Sequence, residues 1–587
     1  MSYMLKLFRF LKPYWWQVII LLASTALQVW CTLRLPELMA DIINQGIVPG
    51  NSDEIWRIGI HMLILAVISA LGALSSSYFA AWIGTSFSRD LRAELFTKII
   101  NFDLVDTKSF STASLITRTT NDVNQVQQTV TMILSMMLRA PLFCIIALIK
   151  AFQTAPDMSW IIAVAIIAIL LTVVTIMIPV VPKFKKFQKL FDKITLLTRE
   201  NLTGLRVIRA FNNEKLEQKK FAKTNNEITR LTIWIDRILE LQNPVINIIF
   251  NGTTLLCSWV GISLLEKDFS YLGNMSAFAQ YVTHVMISFL MLSVLFIMLP
   301  RANVSAGRIN EVLGNNSKIH WKKKTNGVPN NSPSVKFEHV DFQYADAEEK
   351  MLSDISFTAN AGEVTAFVGS TGSGKSTLIN LVPRFYEATA GKITISGIDI
   401  TDYAREDLME RIGFVPQRGV LFSGTIKSNI AFGAPTASQK DIEEAARISQ
   451  SKEFIEKLPE KYNSHIAQGG TNVSGGQKQR LSIARAICKK PDIFVFDDSF
   501  SALDMKTDKK LREALKPITK DSVVLIVAQR INTIKDADQI VVLEEGKIAG
   551  KGTHLNLLKT CKVYQEIVKS QLSDAEFEAE MKEAKNA

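Results

Sequence analysis

EVTAFVGSTGSGKSTLINLV, residues 363–382, decides the fold of the second half of this 587-residue chain. An apolar, β-branched run, VTAFV, is followed at once by Gly369-Ser370-Thr371-Gly372-Ser373-Gly374-Lys375-Ser376, and then by Thr377 and an apolar pattern of helical spacing. G-x-x-x-x-G-K-S/T set between a strand and a helix is a phosphate-binding loop. Its glycines free backbone N–H groups to cradle phosphate oxygens, and the helix N-terminus adds its positive dipole end. Lys375 is placed to reach the β- and γ-phosphates, and the Ser376 hydroxyl to hold Mg²⁺. ATP and Mg²⁺ are the cofactors this pattern implies. Further on, Ile493-Phe494-Val495-Phe496-Asp497 reads as an apolar strand ending in a carboxylate, with Asp497 placed to orient the magnesium water shell. VKFEHVDFQY, KITISG, SVVLIVAQ and QIVVLEEGKIAG supply further short strands alternating with helices, which predicts an α/β domain on a mainly parallel sheet.

Upstream the composition changes. Hydrophobic residues make up 48% of the chain and charged residues 21%, with a mean hydropathy of +0.15. That mixture predicts a membrane domain joined to a soluble one. Six apolar segments, near 17–40, 58–84, 130–152, 158–182, 243–265 and 276–300, each suffice for a bilayer at about 20 residues per crossing. The short connections 44–55 and 153–157 carry no Lys or Arg, and 266–275 carries only Lys267, whereas 85–129 and 183–242 are rich in both. Basic loops stay cytoplasmic, so the long loops and both termini are placed there. The net charge of +11 sits beside apolar spans, as in Lys183, Lys185, Lys186 and Lys189, which favours an anionic membrane surface over nucleic acid. The long loops contain few helix breakers and read as helices extending beyond the membrane, with breaks near 106–114 and 196–204. The basic, aromatic start reads as an interfacial helix anchored by Phe8, Leu11, Tyr14, Trp15 and Trp16. Five cysteines without paired spacing suggest neither a disulfide framework nor a metal site.

Between the phosphate loop and the 493–497 strand lies Val473-Ser474-Gly475-Gly476-Gln477, followed by KQRLSIARA. Here the sequence resembles the ABC transporter superfamily, whose signature is closest to LSGGQ; Val473 is a mild departure. The resemblance runs over nearly the whole chain and matches the layout of exporter half-transporters. It implies a transmembrane domain at 1–310, a linker at 311–334, a nucleotide-binding domain at 335–572 and an acidic tail at 573–587, read as a solvated helix. It also implies that Tyr344 stacks on adenine and that Gln417 touches Mg²⁺ and faces the transmembrane loops. Ser501-Ala502-Leu503-Asp504 is similar to the D-loop, and Leu115 to Arg118, with Asn121 and Asp122, is similar to the first coupling region. Gly204 to Phe211 is similar to the second.

The family pattern is broken at its catalytic positions. Glutamate normally follows the Walker B aspartate and polarises the attacking water; this chain has Asp498. The family's switch histidine is replaced by Gln529, which can hydrogen-bond a γ-phosphate but cannot carry an imidazolium's charge. Gln468 stands where glutamate usually precedes the signature. The resemblance is therefore to the degenerate-site subunit of bacterial heterodimeric multidrug exporters. Its own site would hold ATP and hydrolyse it slowly, while Ser474 to Gln477 would complete the site of a partner that keeps the glutamate and histidine. A homodimer in which Asp498 and Gln529 suffice is the alternative.

The cargo is less legible. The spans contain Arg34, Glu37, Arg139, Asn243, Asn247, Asn251, Gln280 and His284, and ionisable groups in spans often line cavities; Lys150, near an outer end, is expected to snorkel. Apolar surroundings suggest a hydrophobic or amphipathic compound. Lipid flipping, siderophore import on an exporter fold and a regulatory ATP-gated subunit are the rival readings, and a bacterial plasma membrane is the expected location.

Overall fold

The computed structural model describes residues 2–265, 271–315, 319–330 and 332–586, so Lys267 lies outside the described residues. The chain divides into two compact units, Met1–Asn101 with Ser111–Asn315, and Phe102–Phe110 with Asn316–Ala587.

The first unit is helical. Among the described residues, six segments are long and apolar enough to cross a membrane: Tyr3–Ile47, Ser52–Ile100, Thr112–Thr154, Pro156–Thr203, Glu214–Leu264 and Leu272–Leu292. Their principal helices are α1 (Ser2–Leu7), α2 (Trp15–Asp41), α3 (Ser52–Ile100), α5 (Thr112–Thr117), α6 (Val123–Met132), α7 (Arg139–Thr154), α8 (Trp160–Thr203), α9 (Leu205–Ala210), α10 (Glu214–Glu240), α11 (Gln242–Leu265) and α12 (Tyr271–Gly314), with α4 (Leu104–Phe110) in the other unit. At 1.5 Å per residue the 49-residue α3 is about 70 Å long, more than twice the hydrocarbon thickness of ~30 Å. It starts where the Asn51 side chain accepts from the Glu54 N–H, with Asp53 and Glu54 in the first turn favouring the positive end of the helix dipole. The long loops are thus continuous helices, broken near residues 101–111 and 204–213.

Hydroxyl pairs join α2 to α3: Ser24 with Ser75 at 2.9 Å, Thr25 with Ser76 at 2.7 Å and Thr32 with Ser69 at 2.8 Å. Gly72 permits this close approach, because a Cβ there would lie 3.2 Å from the Ser24 carbonyl oxygen. Phe278, Tyr281 and Val285 of α12 pack with Ala147 and Ala151 of α7 and Ile161 and Ile162 of α8 in a buried apolar cluster. Two expectations change. Lys150 does not simply snorkel: its Nζ lies 3.1 Å from Glu37 Oε2, and Glu37 also takes Arg34 at 2.6 Å. At the N-terminus Trp15 and Trp16 are exposed, but Tyr14 is turned inward, donating to Asp90 and accepting from Arg89. The polar end of the ring finds a charged partner on α3, which outweighs its value as an interfacial anchor.

Among the described residues the second unit carries twelve strands: β1 (Ser334–Phe342), β2 (Leu352–Asn360), β3 (Val364–Gly369), β4 (Ala390–Ile395), β5 (Ile398–Asp399), β6 (Ile412–Val415), β7 (Gly424–Thr425), β8 (His465–Ile466), β9 (Ile493–Asp497), β10 (Val523–Val527), β11 (Gln539–Glu544) and β12 (Lys547–Gly552). The central sheet runs β12-β11-β3-β10-β9-β6, parallel except at β12. Strands β1, β2, β4 and β5 form a separate antiparallel sheet, order β2-β1-β4-β5, and β7 pairs with β8. Because β3, β9 and β10 are neighbours and parallel, the phosphate loop, Asp497, Asp498 and Gln529 all emerge at one edge of the sheet.

Helix α4 belongs to this unit. Val105 packs against the core that holds Phe337 and Phe367, and Asp103 accepts from the Ile319 N–H at 3.0 Å. Residues 115–122, by contrast, are tied within the membrane unit: Arg118 Nη1 lies 2.8 Å from Glu311 Oε2, and Ser305 donates to Asp122 at 2.8 Å. The acidic tail is helical over Asp574–Asn586, but it is docked and not wholly solvated. Ala584 is buried, Phe577 and Met581 pack on the core, and Glu580 meets His554 Nε2 at 3.0 Å and Lys535 Nζ at 3.3 Å. All five cysteines are free thiols.

Candidate functional site

The phosphate loop leaves β3 and turns into α13 (Lys375–Leu381) through two left-handed glycines, Gly372 at φ +86° and Gly374 at φ +95°. A Cβ at Gly374 would come 2.6 Å from Leu352, so the second position needs glycine for space as well as for conformation. The loop borders a cavity of about 690 Å³ lined by Gly369, Ser370, Thr371, Gly372, Gly374, Lys375, Ser376 and Thr377, with Gln417, Asp498 and Gln529 facing them. Ser373 is buried beneath the loop, where its hydroxyl accepts from Lys375 Nζ at 3.3 Å. The same ammonium donates to the carbonyls of Gly369 at 2.9 Å and Ser370 at 2.6 Å. Burial pushes Lys375 below the ordinary lysine value, against the pull of Asp498 and Asp497.

Asp497 stands behind the loop and accepts from the Ser376 hydroxyl at 2.9 Å. Burial and the adjacent Asp498 charge push its carboxyl above the usual aspartate range, opposed by the Ser376 hydrogen bond and Lys375. A hydroxyl and a carboxylate in contact are hard oxygen donors that fit Mg²⁺, an ion that keeps most of its own waters and adds few protein ligands. Bound there, Mg²⁺ would neutralise charge on the phosphate oxygens. Ser376 and Asp497 would hold it, with the Gln417 amide as a third oxygen.

Asp498 is held from two sides. Gln417 Nε2 donates to its Oδ2 at 3.2 Å and Gln529 Nε2 donates to the same oxygen at 2.9 Å. Its backbone has φ +46°, a left-handed conformation that Asp tolerates better than Glu. The sequence-singled residues at the degenerate positions are thus brought into one hydrogen-bonded group. Arg530, next to the switch position, reaches the carbonyls of Ser501 at 3.1 Å and Leu503 at 3.3 Å, which ties this group to the D-loop.

Other sequence-singled residues lie off the cavity wall. The Tyr344 hydroxyl is 2.9 Å from Thr377 Oγ1, and its ring packs edge-on against Phe342 and Tyr386. Asp504 caps the helix Met505–Leu515 by accepting from the Thr507 N–H at 2.9 Å, and that bond holds its carboxyl below the usual range. Ser474 caps the helix Gly475–Lys489 in a reciprocal capping box with Gln477, at 2.9 and 3.3 Å. Ser474 and Gly475 are exposed, and Ser474 to Gln477 do not line the phosphate-loop cavity. Sequence reasoning missed the opposite wall, made by Val563, Glu566, Ile567, Ser570 and Gln571. These residues match no motif; their helical spacing in KVYQEIVKSQ is the only signal.

The chain is similar to known proteins over most of its length. Residues 18–289 match the family model described as ABC transporter transmembrane region, and residues 352–501 match the one described as ABC transporter. An uncharacterized ABC transporter ATP-binding protein of Bacillus subtilis (strain 168) is 37% identical over 575 residues, 97% of this chain and 98% of that protein. This chain belongs to the ABC transporter family. A putative multidrug export ATP-binding/permease protein of the same organism is 30% identical, over 95% of this chain and 97% of its own length. The fold matches that of a bacterial Atm1-family ABC exporter solved with ATP bound, with TM-score 0.78 and 23% identity over 96% of this chain and 99% of that one. This ABC transporter chain is an exporter-type half-transporter, a multi-pass membrane protein with its ATP-binding domain fused to its membrane domain. That domain binds ATP and couples its hydrolysis to transport, and ABC exporters act as dimers.

Proposed function

We propose that the chain is the degenerate-site subunit of a heterodimeric exporter that moves hydrophobic or amphipathic compounds out of the cell. The observation that carries this reading is the shared Asp498 Oδ2, which accepts from Gln417 and Gln529 at 3.2 and 2.9 Å. A carboxylate one methylene shorter than glutamate, oriented by two neutral amides, reaches less far toward an attacking water, and Gln529 brings no positive charge to the γ-phosphate. Lys375, Ser376 and Asp497 supply what Mg·ATP binding needs. The intact Ser474–Gln477 cap, exposed at Ser474 and Gly475, supports a second role, completing the ATP site of a partner that keeps glutamate and histidine. The basic long loops support a cytoplasmic ATP-binding domain and cytoplasmic termini, with a plasma membrane as the site of action.

For the cargo, three side chains of the membrane unit come together. Arg139 lies over the Phe143 ring at 5.5 Å, and His284 stacks on the same ring at a centroid distance of 5.6 Å. A cationic and aromatic group between α7 and α12 suits an amphipathic compound with a planar or acidic part. The multidrug-export name of the Bacillus relative supports the same class. The test is ATPase activity of the purified chain alone and mixed with candidate partner half-transporters, each with and without Lys375→Ala. A nearly silent lone chain and an active pair are the expected results. Brisk hydrolysis by the lone chain, abolished by Lys375→Ala, overturns the impaired-site reading and leaves a homodimeric pump.

A further inference from the structure

The turn that carries Gln529 has an anchor outside every motif. Gln529 to Ile531 connect the end of β10 to the short helix Ile531–Ile534, whose N-cap residue, Arg530, makes no side-chain capping bond. The first N–H of that helix is met instead by Gln571, whose Oε1 accepts from the Ile531 N–H at 2.9 Å. The other end of the same amide reaches the preceding peptide, with Gln571 Nε2 donating to the Gln529 carbonyl at 2.7 Å. One side-chain amide therefore spans the turn, holding the peptide on each side of Arg530.

Both side chains of that turn are in use. Gln529 reaches Asp498 at 2.9 Å, and Arg530 reaches the carbonyls of Ser501 and Leu503. Gln571 also borders the phosphate-loop cavity. It follows the helix Lys562–Lys569, which is itself fixed: Tyr564 and Val568 are fully buried, and the Tyr564 hydroxyl lies 2.8 Å from His554 Nδ1. A rigid helix thus presents an amide to a short turn that has no cap of its own.

We propose that Gln571 is a positioning residue for ATP hydrolysis, setting the backbone of the switch turn so that the side chain at 529 meets residue 498 and Arg530 meets the D-loop. In this role it acts through the backbone of the turn, by its bonds to the Gln529 carbonyl and the Ile531 N–H. A small displacement of the turn moves both contacts at once, and misplacement of about 1 Å at a reacting centre costs on the order of 100-fold. Without the Gln571 amide the turn keeps its Gln529 and Arg530 side-chain contacts, which permits a smaller movement, so a fall of roughly tenfold is expected.

The test uses the full-length transporter in lipid nanodiscs. Single-turnover hydrolysis by this chain's own site and equilibrium ATP affinity are measured for Gln571→Ala, Gln571→Glu, Gln529→Ala and the Gln529→Ala/Gln571→Ala double variant. Gln571→Glu keeps the shape and the acceptor for Ile531 but sets an oxygen against the Gln529 carbonyl, so it serves if the alanine variant folds poorly. The expected result is a rate about tenfold lower for either 571 variant with ATP affinity unchanged, and, once Gln529 is already alanine, only the smaller loss that Gln571→Ala transmits through Arg530. An unchanged rate in both 571 variants, or losses that simply multiply in the double variant, overturns the proposal. The readout is a ratio to the unmodified chain. A fast unmodified site therefore refutes the impaired-site reading while leaving this result interpretable.

Discussion

Replacing Asp498 with glutamate tests the link between geometry and rate most directly. The added methylene carries the carboxylate forward by about 1.5 Å, one C–C bond, toward the space between the phosphate loop and Gln417. A displacement of about 1 Å at a catalytic group is worth on the order of 100-fold in rate, so Asp498→Glu should raise turnover at this chain's own site by roughly 10- to 100-fold. Glutamate also vacates the place where Gln417 and Gln529 converge on one oxygen, and Gln529→His in the same chain should add a second increment by supplying a cation. The change has a backbone cost. Residue 498 has φ +46°; Asp already bears part of the roughly 1–2 kcal/mol that left-handed geometry costs an ordinary residue, and Glu, less tolerant of it, adds the remainder. Thermal stability should therefore fall slightly while activity rises. The assay is phosphate release from the reconstituted transporter with the partner's own catalytic glutamate removed, alongside an unfolding scan. Equal rates for the unmodified and Asp498→Glu chains, with ATP bound to both, would refute the reasoning, because carboxylate reach would then not be what limits this site.

Lys375→Ala should weaken ATP binding by at least about tenfold, the loss of a charge-assisted contact, read by fluorescent-nucleotide titration. The pH dependence of that binding has two arms. Because burial lowers Lys375, its charge is lost on the alkaline side before ordinary lysines titrate, and affinity should decline there. Because Asp497 is raised, it takes up a proton above the usual aspartate value of 3.8, so magnesium-dependent binding should fade on mild acidification; Asp497→Asn should remove that acid arm. Deleting residues 574–587 removes Phe577, Met581, Ala584 and Glu580 from their partners. Loss of about 3 kcal/mol in the ATP-binding unit is expected from the apolar burial alone, and an unchanged melting temperature would show that docking adds nothing.

The parts legible in the sequence are those where one residue type answers one physical demand. Gly372 and Gly374 announce left-handed backbone, and the carboxylate at the end of IFVFD announces a strand edge beside the loop. Uninterrupted apolar runs announce bilayer crossings. The parts that were not legible depend on partners far away in the chain. Lys150 looks like a lone cation until Glu37 is brought beside it. The tail looks solvated because Phe577, Met581 and Ala584 are scattered among charges, and only the docked helix shows that they share a face. Helix α4 is too short for periodicity to reveal that Val105 enters an apolar core. Gln571 is an unremarked amide until the turn it spans is seen. The antiparallel sheet of β1, β2, β4 and β5 was hidden because alternating strands and helices read alike whichever sheet they join.

The paired hydroxyls between α2 and α3 carry a consequence for how the transport path opens. Each interhelical hydrogen bond in a membrane is worth about 0.6 kcal/mol on average, so one alone would barely matter. Set at two levels along the same groove, on either side of a glycine that brings the backbones together, they resist sliding as rungs resist the shearing of a ladder. The first two spans should then travel through a transport cycle as a single plank. Whatever gap admits cargo has to open along another seam.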